Sequence, residues 1–157
     1  MAECRQIAGI TPGCGMWTKS LKKNPAMDLK AFILKANEEI LNKGNYDYID
    51  EIFVEDYAYP GFTERGPTLI RGFMSKLRDA FPDLEIGIEE VVQEGDWVAY
   101  RRTHSGTHQG EFMGFEPTGK RVEWEHFIVS HIVDGKIVEE KGQFDLEAKL
   151  RANAGEE

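Results

Sequence analysis

Trp124, His126, Gln143 and Asp145 bring an indole, an imidazole, an amide and a carboxylate into one stretch near the C-terminus, and their spacing predicts that they meet. Between them lies Asp134-Gly135. That pair suits a two-residue type I′ turn, which needs positive φ at both positions. β-branched and aromatic residues flank it on both sides, as paired strands require. Counting outward from the turn sets Ile132 opposite Ile137, Ser130 opposite Glu139, Ile128 opposite Lys141, His126 opposite Gln143 and Trp124 opposite Asp145. Opposed residues share a face, so these ten form one surface. Phe127, Val129, His131, Val138, Glu140 and Phe144 fall on the other.

The chemistry such a face could perform is proton transfer. A carboxyl group buried beside apolar groups has a raised pKa and can act as a general base near neutral pH. Asp145 opposite Trp124 fits that description; it fits equally a carboxylate at the pocket rim, or an N-cap for a terminal helix. His126 and Gln143 could donate hydrogen bonds to a carbonyl or enolate oxygen, or form a satisfied polar pair on a pocket wall. Lys141 could bind a carboxylate or form a Schiff base, but a salt bridge with Glu139 or another neighbour is the commoner outcome. His108, in a Gly-Thr-His loop, is a candidate for the pocket mouth as well as for a structural role. His104 and His131 read as structural. Arg101 and Arg102 point to opposite faces of one strand; either could meet an anion, and a salt bridge is the ordinary fate. No histidine pair at i, i+4 on a helix stands beside an acid, so no metal site is expected.

The elements that must position these groups follow from periodicity. Leu29, Phe32, Ile33, Ala36, Ile40 and Leu41 recur at helical spacing, predicting a helix over 28–43 stopped by Gly44. Asn45 is placed to cap a short second helix bearing Ile49 and Ile52. Residues 57–59 read as a short strand closed by Pro60-Gly61. Gly66-Pro67 opens a third helix, with Leu69, Ile70, Phe73, Leu77 and Phe81 as its stripe. From Leu84 the period changes to two, and Glu94-Gly95 marks a turn into a long strand from Trp97 to Thr107. A loop holding Pro117-Thr118-Gly119 leads to the hairpin already described, and a short helix from Leu146 ends the chain. Helices first and an antiparallel meander last predict an α+β fold in which three helices pack against a curved sheet enclosing a pocket.

The 157 residues suit one domain over 27–157, preceded by a flexible extension over 1–26. Hydrophobic residues make up 41% and charged residues 30%, as in water-soluble globular folds. A net charge of −9 with no basic stripe argues against nucleic acid. No apolar run spans a bilayer and no secretory leader is visible, so no membrane partner and a cytoplasmic location are expected. Cys4 and Cys14 then read as reduced, unpaired thiols.

Several motifs, in order, carry a resemblance. They are Ala80-Phe81-Pro82-Asp83-Leu84, Glu94-Gly95-Asp96 with Val98, and Gly106-Thr107-His108 running through Gly110, Phe112 and Gly114 to Pro117-Thr118-Gly119. Asp134-Gly135-Lys136-Ile137-Val138-Glu139 and Gln143 with Asp145-Leu146 complete the set. Together they resemble the SnoaL-like family of polyketide cyclases, or ester cyclases, within the nuclear-transport-factor-2-like cone. The chain departs from the family pattern at Lys141, where tryptophan is common, and at Pro60-Gly61. The resemblance implies an active site without cofactor, a homodimer, and a small apolar carbonyl-containing ligand. It also implies that Asp145 is the acid/base for an intramolecular aldol cyclisation, with Trp124, His126, Gln143, Lys141 and His108 around the substrate. A non-catalytic binding or dimerisation module on the same cone is the alternative.

Overall fold

The computed structural model describes residues 27–155. The extension expected over 1–26, with both cysteines, lies outside them. Helix α1 (Leu29–Ala36) begins where the Asp28 side chain accepts a hydrogen bond from the Ala31 amide, 3.1 Å away. Such a cap contributes about 1 kcal/mol. The helix continues as a π-helical turn, Asn37–Asn42, so that Ile40 and Leu41 stay on the buried side. Helix α2 (Asp47–Ile52) starts at Tyr46 with no side-chain cap. Asn45, expected to cap it, instead donates to Glu39.

Helix α3 (Gly66–Ala80) starts at Gly66 for a steric reason. Its φ is +63°, and a Cβ there would stand 2.4 Å from the Glu55 carbonyl oxygen. The strand expected over 57–59 does not form; the pairing in this region is a single parallel bridge between Phe53 and Ile137.

Strands β1 (Glu85–Glu94), β2 (Trp97–Thr107), β3 (Arg121–Val133) and β4 (Lys136–Phe144) form one antiparallel sheet in sequence order. Helix α4 (Leu146–Ala154) follows directly. Asp134 and Gly135 have φ of 50° and 76°, the backbone a type I′ turn requires. The helices cover one face of the sheet. Ile33, Ile49, Leu77 and Phe81 from the helical layer are at most 3% exposed, as are Val98, Ile128 and Ile132 from the strands. Each such burial stabilises by about 1.5–3 kcal/mol. The architecture is thus the expected α+β cone, helices on the concave side of a curved sheet.

Register is where expectation and structure part. Ile132 does face Ile137, but the ladder shifts between His131 and Ile132, leaving Val138 as an extra residue. Beyond this bulge Ser130 faces Glu140, Ile128 faces Gly142 and His126 faces Phe144. A one-residue slip turns every later side chain to the other face. Glu140, Gly142 and Phe144 therefore point inward, while Glu139, Lys141 and Gln143 point outward.

Candidate active site

The inner face can be read in rows across the sheet. Ile86, His104 and Trp124 form one row, and Ile88, Arg102, His126 and Phe144 the next. Tyr100, Ile128 and Gly142 follow, then Val98, Ser130 and Glu140. Arg102, His104, Trp124, His126 and Glu140 from these rows and the apolar faces of α1 and α3 border one cavity. Its cavity volume is about 110 Å³, and it opens to solvent at its mouth. Ile33, Leu69, Phe73 and Met74 make the helical wall; Arg102, His104, Trp124, His126 and Glu140 line the sheet side. A concave, mainly apolar space with a few convergent polar groups is the usual form of a small-molecule site.

Glu140 is 7% exposed and sits among hydroxyls. Tyr57 donates to its Oε2 at 2.9 Å; Ser130 and Tyr100 donate to its Oε1 at 2.6 and 3.2 Å. A carboxylate offers about four lone-pair positions, so three donors hold it in place and leave one for a substrate. Burial, and then the adjacent Glu140, push the Tyr57 phenol upward. Burial raises Tyr100 and Tyr59 as well. All three phenols therefore stay protonated near neutral pH and serve as donors.

Two imidazoles stand on the neighbouring rows. His104 stacks on Trp124 with ring centroids 4.9 Å apart. His126 Nε2 lies 3.3 Å from the Tyr59 hydroxyl. Burial, followed by the charge of Arg102, lowers both histidines to about 3. They are neutral at physiological pH and can polarise an oxygen without carrying charge. Gly142 makes room for this pair: a Cβ there would come within 2.6 Å of His126 Nε2 and 2.9 Å of the Tyr59 hydroxyl.

The residues expected from sequence are not all brought together. His126 and Trp124 line the cavity. Asp145 does not. Its side chain is 46% exposed, accepts from the Glu125 amide at 2.9 Å and lies 3.6 Å from Lys149. It borders an open polar groove with Glu85, Glu123 and Glu125. Asp145 is the N-cap residue of α4, though its carboxylate makes no capping bond there. Gln143 is exposed on the outer face beside Phe127. Lys141 is also outside and pairs with Glu139 at 2.8 Å, the salt bridge that ranked first. His108 is fully buried, stacked on Phe81, and burial lowers its pKa.

Sequence reasoning passed over Glu140, Ser130, Tyr57 and Tyr100 as a group. One signal was present. In Glu140-Lys141-Gly142-Gln143-Phe144-Asp145, the strongly polar Lys141, Gln143 and Asp145 alternate with Gly142 and Phe144. That alternation suits an outer face at the odd positions, as the bulge requires.

Comparison with known proteins bears on this geometry. The family model for SnoaL-like polyketide cyclases matches residues 31–153. The aklanonic acid methyl ester cyclase AcmA of Streptomyces galilaeus is 32% identical over 121 residues, covering 72% of this chain and 82% of that protein. The nogalonic acid methyl ester cyclase of Streptomyces nogalater is 32% identical over 116 residues, covering 70% and 86%. Among solved structures, TsrD of Streptomyces laurentii superposes with a TM-score of 0.73 at 25% identity, over 82% of this chain and 98% of that one. AclR of Streptomyces galilaeus, a proposed hydroxylase, does so with a TM-score of 0.68 at 32% identity, over 82% and 85%. With the cone, the cavity and these relatives in agreement, the chain belongs to the SnoaL-like polyketide cyclase family.

Proposed function

We propose that this protein closes a ring in an apolar, carbonyl-bearing polyketide by intramolecular aldol addition, with Glu140 as acid/base. The observation carrying the reading is a buried carboxylate, steadied by three hydroxyls, on the wall of a mainly apolar cavity. A carbon between two carbonyls is already acidic, so a positioned carboxylate can deprotonate it. The C–H bond breaks, its proton passes to Glu140, and the electron pair delocalises onto the carbonyl oxygen as an enolate. The Tyr59 hydroxyl and the neutral His126 ring are placed to hydrogen-bond that oxygen. The enolate carbon then attacks a second carbonyl in the same molecule. The new alkoxide takes the proton back from Glu140, and no atom is gained or lost. The apolar helical wall excludes water, which strengthens each of these interactions.

The assignment of the base moves from Asp145 to Glu140 on the strength of the bulge, and paired variants decide between them. With aklanonic acid and its methyl ester each offered as substrate, Glu140→Gln is expected to lower kcat/KM at least a hundredfold on whichever of the two the wild type turns over. Asp145→Asn is expected to stay within about twofold of wild type. The reverse pattern would return the role to Asp145. Full activity in both variants would remove both carboxylates as the base, whereas no turnover in the wild-type chain would leave it a binding module on this cone, a reading favoured by Glu140 already holding three protein hydrogen bonds.

A homodimer formed through the outer face of the sheet belongs to the same proposal. Phe127 is 55% exposed there, with Val129 and Val133 on the same strand face. Sedimentation velocity should show a dimer; a monomer at micromolar concentration removes this part.

A further inference from the structure

Arg102 is the one arginine or lysine among the described residues lining the cavity, and the proposed ring closure leaves it without a task. It stands on the sheet row between Ile88 and the neutral His126. Among the described residues it makes no ion pair, and its Nε is buried without a hydrogen-bond partner. Its contacts are with Tyr100. Nη2 donates to the Tyr100 hydroxyl at 3.3 Å, and the guanidinium lies 5.2 Å from the centre of that ring. The cavity carboxylate is reached only through this hydroxyl, which passes a hydrogen bond on to Glu140 at 3.2 Å. A guanidinium cannot shed its charge, so the cation remains in the apolar space throughout the catalytic cycle.

We propose that Arg102 is the subsite for a permanently anionic group of the substrate, a free carboxylate rather than an ester. The inference rests on the reading of the cavity as the substrate site and adds the substrate's charge. An enolate oxygen appears only during turnover, so it cannot compensate a cation that is unpaired in the resting protein. A ligand carboxylate can, because the guanidinium edge matches two carboxylate oxygens in a planar, charge-assisted pair. The neutral His104 and His126 beside it add donors without competing for the anion. An ester at the same place offers one weak acceptor and an alkyl group, and leaves the Nε proton unmatched.

The test is binding, read independently of turnover. Anthraquinone-2-carboxylate and its methyl ester are titrated into the full chain and followed by protein-detected NMR, including the Nε–H signal of Arg102. The acid should bind at least tenfold tighter than the ester and move the Arg102 Nε–H signal downfield. Arg102→Met should erase the preference by weakening the acid, while Arg102→Lys, which keeps the charge, should retain part of it. Equal affinities, or an Nε–H signal that stays still on binding the acid, overturn the inference while leaving the cyclase reading intact. If neither compound perturbs the cavity, both fall together. Loss of turnover in Glu140→Gln with the acid preference kept supports both. Full turnover in that variant with the preference kept removes Glu140 as the acid/base alone.

Discussion

Arg101 and Arg102 are neighbours in sequence and opposites in circumstance. Arg101 points to the outer face, where Glu89, Glu90 and Glu125 surround it, and its hydrogen bonds to Glu90 and then Glu125 raise its already high pKa. Arg102 points inward to a space that holds no carboxylate in contact with it. Outside, Arg101 finds opposite charges and the remaining demand is met by water. Inside, the carboxylate and the guanidinium are kept apart by a tyrosine hydroxyl, and two imidazoles are held neutral. A sheet that neutralises its outer charges and leaves its inner ones available is arranged for a ligand. Unsatisfied polarity is expensive in an apolar cavity and is retained where something else is to satisfy it.

The sharpest way to break this contrast is to disturb the inner face without touching a polar group. Gly142 has no side chain, but a Cβ there would meet the Phe127 carbonyl oxygen at 2.7 Å as well as His126 and Tyr59. The backbone contact cannot swing away as a side chain could. Gly142→Ala is therefore expected to lower stability by about 1–3 kcal/mol, in line with overpacking elsewhere. It should also reduce turnover at least tenfold by parting His126 from Tyr59. Urea denaturation and steady-state rates check the two effects. Wild-type values in both would mean that the His126–Tyr59 pair is not part of the working geometry.

Much of this arrangement was legible in the residues. The helices followed from apolar periodicity, the meander from alternation, and the last turn from Asp134-Gly135. The inner placing of Trp124, His126, Ile128 and Ser130 on β3 was correct as well. What failed was a single residue of count on β4. A bulge leaves no mark on composition and depends on local twist and on what the facing layer can bury. Val138 is an ordinary strand residue, and nothing in its type announces that it will go unpaired. The consequence was large because parity decides faces: Glu140 and Asp145 exchanged places as candidates. Tyr57 was out of reach for a different reason. It lies 83 positions from Glu140, and only the packing of the loop after α2 beneath the sheet joins them.

The neutral imidazoles give a milder handle on the same comparison. An unfolded histidine titrates near 6.5, whereas folded His104 and His126 titrate near 3. Between those values the unfolded chain binds protons that the folded chain refuses. Stability therefore rises with pH in that window, and the contribution present above 6.5 is lost as pH falls toward 3. Carboxylates with lowered folded pKa values, such as Asp83 and Glu90, act in the same direction but chiefly below about 4.5. A scan from pH 7 to pH 5 isolates the histidines. The midpoint of thermal unfolding should fall across it, and His126→Gln should reduce the slope by roughly a third, because buried His108 acts in the same direction as His104 and His126. A flat profile over this range would mean that the two rings are hydrated enough to protonate in the folded state.

The smallest expected effect is a pair of opposite signs. Arg101→Met removes ion pairs whose partners are mostly solvated and should destabilise only slightly. Arg102→Met removes a half-buried cation whose Nε is shielded from water, together with one long hydrogen bond and a cation–π contact worth about 0.5–1 kcal/mol. Relief of desolvation outweighs those losses, so this variant should gain about 1 kcal/mol while losing affinity for an acidic ligand. Urea midpoints of the two variants, measured without ligand, settle the signs. If both substitutions destabilise alike, the inner guanidinium is satisfied by the fold itself, and the difference between the two faces of the sheet reduces to one of exposure.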